Sequence, residues 1–303
     1  MTQQYKKRAD MPGETFQLDD FKVTAHDIAD ADVRTLLALS VSVGWSHRAE
    51  DWEFMRSVGQ GQVAMDESGR VHGSVMWFPF GDERASIGML ITAPRLQTNG
   101  GGQWLMHRVL EQTQGRTLGL HATDRSHRLF RSLGFNDEGI VYQYEGHVSA
   151  PPEPAPAPHP EVREFAPSYL PALRSLDRMA TGWPRDTLID ALVERSRGMV
   201  LVRDGRLDAC TLMRPFGRGK VIGPLFARSE ADALNVLRPM MVDQAGRYVR
   251  IDLRDETSDL ARFVRQCGLR VVEKVTRMSR GEPWPFSSVH TPSQFALASH
   301  ATG

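Results

Sequence analysis

Between Ala85 and Leu110 the chain reads as an apolar strand, then Pro94, then Gln97-Thr98-Asn99-Gly100-Gly101-Gly102. A helix follows at once, its apolar residues four apart at Leu105 with Val109 and Met106 with Leu110. Three glycines at a strand-to-helix junction let successive backbone N–H groups point into one concavity at the positive end of a helix. The chemistry this suits is anion binding, most simply of a phosphate or pyrophosphate. It is not a nucleoside-triphosphate loop, because no Gly-Lys-Ser/Thr follows, nor a dinucleotide fingerprint, because G-x-G-x-x-G is absent. Gly217-Arg218-Gly219-Lys220 fails the first test too, with Val221 in the Ser/Thr place, and reads as a hairpin. The spacing at Gly100 to Gly102 is equally compatible with a flexible loop ahead of a surface helix.

Other chemistry-bearing residues are scattered. The two cysteines, Cys210 and Cys267, make neither a disulfide scaffold nor a Cys-x-x-Cys or Cys/His cluster, so no metal is expected and a reducing, cytoplasmic setting is. Thirty-seven Lys+Arg balance 37 Asp+Glu, which argues against nucleic acid or an anionic membrane as the working partner. Met1 to Gly13 is polar and basic with no apolar segment behind it, and no run of eighteen apolar residues occurs, so neither export nor a membrane span is expected.

The elements that must position the glycine loop recur along the chain. At 303 residues, with 41% apolar and 24% charged residues, two globular domains are expected. From Pro151 to Pro160 six of ten residues are proline. Such a segment favours a stiff polyproline II spacer of roughly 30 Å. On either side, dipeptides repeat in order: Gly44-Trp45 as Gly182-Trp183, Gly69-Arg70 as Gly205-Arg206, Phe80-Gly81 as Phe216-Gly217, and Ile87-Gly88 as Ile222-Gly223. Leu133-Gly134-Phe135 then faces Cys267-Gly268-Leu269. The ordered matches at a nearly constant offset indicate a tandem duplication. Each copy reads as two helices, three strands, a helix, a strand, a helix and a last strand, giving a mixed α/β sheet with helices. The expected layout is a loose N-terminus at 1–14, a first domain at 15–148, a proline-rich linker at 149–160, a second domain at 161–282, and a tail without regular structure at 283–303.

The first copy resembles the GNAT superfamily of acyl-CoA-dependent N-acetyltransferases. That family's signature [Gln/Arg]-x-x-Gly-x-[Gly/Ala] matches Gln97-x-x-Gly100-x-Gly102, and its downstream Leu-Tyr-x-x-x-Gly-Phe matches Leu129-Phe130-Arg131-Ser132-Leu133-Gly134-Phe135 except at Phe130. The second half, with Ile222-Gly223-Pro224-Leu225 and Thr276-Arg277-Met278, resembles the divergent second domain of tandem, YitH-like members. The resemblance implies a tandem GNAT acyl-CoA N-acyltransferase fold in two copies, with acetyl-CoA as cosubstrate and a small-molecule primary amine as acceptor; monomer and homodimer both stay open. It places the pyrophosphate on Gln97, Thr98, Asn99, Gly100, Gly101, Gly102 and Gln103, the pantetheine arm along Leu90, Ile91 and Thr92, and Phe130 beside the cofactor. Trp45, His47 and Arg48 fall in the variable acceptor wall. A tyrosine commonly protonates the leaving thiolate at the position of Phe130, which has no proton to give, so either the thiolate leaves unassisted or by water, or Tyr142 or a histidine substitutes. His121, at the end of the strand where the family splays its sheet around the acetyl group, is the first candidate for base or polar orienter; a strand-end histidine with no catalytic role is the alternative. In the second copy, Ser229-Glu230-Ala231-Asp232 opens the corresponding helix in place of the glycines, which suggests one cofactor site per chain. A protein or peptide acetyltransferase and a non-catalytic acyl-CoA sensor remain the alternatives.

Overall fold

A computed structural model describes residues 14–18, 21–97, 99–149, 159–284 and 292–303. All but Glu14 of the expected loose N-terminus 1–14, Thr98 and most of the proline spacer, 150–158, lie outside the described residues. By internal contacts the chain forms two compact units, Met1–Pro79 with Ala85–Arg116, and Phe80–Arg84 with Thr117–Gly303.

The first unit is an antiparallel meander. Strands β1 (Thr15–Leu18), β2 (Phe21–Asp27), β3 (Gln60–Asp66), β4 (Val71–Phe80) and β5 (Arg84–Thr92) lie side by side in chain order. The sequence predicts no strand before the first helix, because β2 shows little apolar alternation; pairing with β3, from Val23↔Asp66 to Asp27↔Gln62, secures it. Between β2 and β3 come α1 (Val33–Ser42), capped by Asp32 accepting from the Arg34 amide at 2.8 Å, and α2 (Ala49–Val58). A short α3 (Pro94–Gln97) precedes α4 (Gly101–Gln112), which buries Trp104, Leu105, Met106 and Val109. A Cβ on Gly73 in β4 would stand 2.9 Å from Leu105 Cδ1, so this glycine lets α4 lie flush on the sheet.

The second unit contains β6 (Thr117–Ala122), α5 (Asp124–Ser132), β7 (Asn136–His147), β8 (Val162–Glu164), α6 (Leu170–Thr181), α7 (Asp186–Glu194), β9 (Arg197–Arg203) and β10 (Arg206–Phe216). These continue into β11 (Gly219–Ala227), α8 (Glu230–Asp243), β12 (Tyr248–Leu253), α9 (Asp259–Gln266), β13 (Arg270–Arg280) and β14 (Ser293–Ala296). Its strands run β6-β13-β7-β12-β14-β11-β10-β9-β8. The last strands of the two sequence halves are exchanged. β13, from the second half, pairs with β6 (Arg277↔His121), and β7, from the first half, pairs with β12 (Ile251↔Tyr144). The expected structureless tail is also corrected, since β14 joins the sheet and Leu297, Ala298 and Thr302 are buried. Only a short apolar run marks it in sequence, and its strand character comes from partners far away in the chain. Trp183 is fully buried and stacks on Trp284 at 4.0 Å, a packing role.

Candidate functional site

The glycine junction forms as its composition dictates. Gly100 is the N-cap of α4 with φ 83°, the left-handed region that glycine enters without penalty, and the Trp104 amide donates to its carbonyl at 2.9 Å. Gly101 is buried, and a Cβ there would meet Leu96 Cγ at 2.6 Å, so α4 begins in close contact with α3. No side chain caps α4 and its first turn carries no acid. The first helical amides have no partner within the helix by construction, and their dipole end is positive. Gln97 and Asn99 are exposed and turn back on the backbone, Gln97 Nε2 donating to the Thr92 carbonyl at 2.9 Å and Asn99 Nδ2 to the Arg95 carbonyl at 3.2 Å. Gly102 and Gln103 follow on the half-buried face of the first turn. These residues fit a pyrophosphate: an open, uncharged cradle of amides at a helix start.

Leu90, Ile91 and Thr92 lie on β5, and just before them Met89 holds φ 53° while its carbonyl accepts from the buried Ser74 hydroxyl at 2.8 Å. A non-glycine residue in that region is strained, although burial still alternates from Ile87 to Thr92 along the segment expected to receive the pantetheine arm. No sequence signal announces it.

The helix α8 is the corresponding element of the second copy. Ser229 Oγ accepts from the Asp232 amide at 3.1 Å, Glu230 and Asp232 stand in its first turn, and Glu230 accepts from the Leu260 amide at 2.8 Å. A capped, acidic helix start does not fit a pyrophosphate.

Trp45, His47 and Arg48 are brought together at the turn between α1 and α2. The His47 ring lies 5.5 Å from Trp45 and 6.0 Å from Trp52, and its Nδ1 is 3.2 Å from Ser40 Oγ, which accepts from the Trp52 indole at 2.9 Å. Arg48 is engaged with Asp51, its backbone amide donating at 2.8 Å and its guanidinium at 3.4 Å, so it fastens the start of α2.

In the second unit His121 sits on β6 opposite Arg277. Its Nδ1 is 2.9 Å from the His300 carbonyl, and its ring lies 6.0 Å from His300 and 5.9 Å from Trp284. Burial first, then the neighbouring His300, pushes the His121 imidazole down to about 3. Burial likewise holds His300 at about 4, with Asp252 pulling the other way. At Asp252 burial favours the neutral acid, but Arg250, at 2.7 Å, together with His300 outweighs it and keeps the carboxyl below the usual range. His121, Arg254, Arg277, Gln294 and Trp284 line a cavity of about 10 Å³, the room of a single water.

Phe130 is buried on α5 and packs edge-on against Phe135 at 5.9 Å. Tyr142, weighed as a stand-in acid, lies on β7, which β13 separates from β6. Lys274 Nζ rests 4.9 Å from its ring centre, and burial followed by the nearby Glu256 raises its phenol above the usual value. His127, on α5, lies 2.9 Å from Asp137. Among the described residues no group of three or more His, Cys, Asp or Glu could hold a metal. No described helix is long and apolar enough to cross a membrane.

A mixed sheet carrying an uncapped glycine-opened helix, in a chain built of two similar halves, points to a tandem acyltransferase class. Residues 32–135 match the model of the acetyltransferase (GNAT) family, and residues 173–290 match that of an acetyltransferase (GNAT) domain. The chain therefore belongs to the GNAT superfamily of N-acetyltransferases, with two GNAT domains in tandem. Its fold is similar to that of a candidate acetyltransferase from Pyrococcus horikoshii, with TM-score 0.76 at 19% identity over 96% of this chain and 99% of that one. It is also similar to a GCN5-related N-acetyltransferase from Sphaerobacter thermophilus, TM-score 0.63 at 16% identity over 87% and 97% of the two chains. A tandem GNAT protein from the clavulanic acid biosynthesis pathway gives TM-score 0.56 at 15% identity over 86% and 99%. No curated protein sequence matches the chain.

Proposed function

We propose that the protein transfers an acetyl group from acetyl-CoA to a primary amine of a small molecule, in the cytoplasm, using the first of two sequence copies at 15–148 and 161–282. The observation that carries this reading is the contrast between α4 and α8. Gly100, Gly101 and Gly102 leave the start of α4 open, whereas Ser229, Glu230 and Asp232 close and charge the start of α8. One coenzyme per chain follows, its pyrophosphate on the amides of Gly100 to Gln103, and its arm paired along Leu90 to Thr92 by strand addition.

When bound, acetyl-CoA supplies an activated thioester carbonyl. The chain must supply a neutral amine, because an alkyl ammonium with pKa near 10.4 is only about one part in a thousand neutral at pH 7. His121, whose ring is neutral at working pH, accepts a hydrogen bond from the amine and orients it rather than acting as a base, and the proton lost by the attacking nitrogen goes to solvent water. Phe130 has no proton to give, so the thiolate departs without a tyrosine proton. Trp45 and His47 contribute to the acceptor wall; the engagement of Arg48 with Asp51 favours an amine without a carboxylate there. Thiol release from acetyl-CoA across a panel of small amines and peptides tests the reading. Turnover with a small amine is expected. Turnover with peptides alone would move the acceptor to the protein class, and binding without turnover would make the chain a sensor.

A further inference from the structure

The groove between β11 and β12 is filled by the chain itself. The two strands pair in parallel only at Lys220↔Val249 and Val221↔Arg250. Beyond that point β14 enters between them, antiparallel to both, with Leu225↔Ala296 and Phe226↔Gln294 on one side and Leu253↔Ala296 on the other. The Leu297 amide donates to the Asp252 carbonyl at 3.0 Å, and the Arg254 amide to the Phe295 carbonyl at 3.3 Å. The seat is tight, since a Cβ on Gly223 would stand 1.9 Å from the Leu297 carbonyl oxygen. Two buried arginines hold the residues after β14. Arg214 Nη2 donates to the Ala298 carbonyl at 3.1 Å, and Arg185 Nη1 to the Thr302 and Gly303 carbonyls at 3.1 and 3.0 Å.

This segment carries the His300 carbonyl to His121. A carbonyl can only accept, so the hydrogen of the neutral imidazole is on Nδ1 and Nε2 is left as a bare acceptor. His121 Nε2 is buried without a hydrogen-bond partner among the described residues, and His121 lines the one-water cavity. We infer that residues 293–303 are a positioning strap, seated in the β11–β12 groove, whose His300 carbonyl fixes the His121 tautomer so that Nε2 accepts an N–H or water proton. The inference rests on His121 being the acceptor-side residue of acetyl transfer. The charged and titratable groups around that ring are His300 on the strap, Arg277 on β13, and Asp252 with Arg250 on β12; Arg254 lines the same cavity. Burial keeps the ring neutral over the range in which a tautomer is read.

The test is ¹⁵N–¹H imidazole correlation spectroscopy on the full-length protein between pH 5 and 8. The expected His121 pattern is a protonated Nδ1 and a bare Nε2, unchanged across the range. A protonated Nε2, or titration near 6.5, would overturn the strap's role, and this reading needs no variant. His300→Ala keeps the carbonyl and is expected to keep the tautomer; inversion there would assign the effect to the ring instead. Gly223→Ala is expected to speed hydrogen exchange of the Leu297 amide at least ~10-fold. It should also lower kcat at least ~10-fold while leaving KM for acetyl-CoA in place, the pattern of a lost transition-state contact. Unchanged exchange would contradict the seating, and faster exchange with unchanged kcat would contradict the positioning. If the protein turns over no amine at all, the functional reading fails while the tautomer and exchange measurements still decide the strap.

Discussion

His121 shows how a residue's environment selects its chemistry. A strand-end histidine with an ordinary pKa would be a plausible base, but burial against His300 and Arg277 removes its basicity and leaves a hydrogen-bond acceptor. His121→Ala should therefore lower kcat while leaving acetyl-CoA binding in place, and steady-state kinetics with calorimetry check both halves. Identical kcat and pH profile would remove His121 from the reaction. The same burial fixes how stability depends on pH. In the unfolded chain both imidazoles titrate near 6.5, whereas in the fold they do so at about 3 and 4. Above about pH 7 neither state binds these protons. As pH falls through 6.5 the unfolded chain takes up protons that the fold refuses, so stability is lost progressively down to about pH 4 for His300 and about pH 3 for His121. Thermal unfolding between pH 7 and 4 should show a shallower decline for His300→Gln than for the natural protein, and equal slopes would contradict the burial argument.

At the scale of elements, α4 and α8 show one position in a duplicated fold built for opposite ends. Gly101 is fixed by the Leu96 side chain behind it, so Gly101→Ala must push α4 away from α3. Overpacking of this kind costs about 1–3 kcal/mol, which denaturant unfolding would register together with weaker coenzyme binding. Between α6 and α7, Asp177 and Arg185 form an ion pair with side chains 1% and 0% exposed. Removing one partner strands the other without compensation, so Asp177→Ala should cost about 3–5 kcal/mol by the same measurement. A loss under about 1 kcal/mol would mean that the carbonyls of Thr302 and Gly303 suffice for Arg185.

For the whole molecule, the local features are readable in the sequence and the pairings are hidden from it. The glycines at Gly100 to Gly102, the repeated dipeptides and the Ser229 cap are local signals with local causes, and they carry the fold class and the uncapped, glycine-opened helix start. The exchange of β7 and β13 is invisible, because strand pattern says that a segment is extended but not which strand lies beside it. Met89 gives no warning of its left-handed backbone, since methionine has no preference for it. The strap 293–303 escapes sequence reading for the reason β14 is short: four residues owe their structure to β11 and β12. Whether Trp45 and His47 pack or touch an acceptor is not legible in the sequence, because both roles have the same composition.

The central claim, one acetyl-CoA per chain held at the glycine-opened start of α4, is tested most directly by calorimetric titration of the full chain and of Gly102→Asp with acetyl-CoA. Aspartate in a first helical turn suits the helix but repels a pyrophosphate, so folding and binding separate. One equivalent is expected for the natural protein, and at least a ~10-fold weaker affinity for Gly102→Asp at an unchanged unfolding temperature. Two equivalents, or equal affinity for the two proteins, would contradict it.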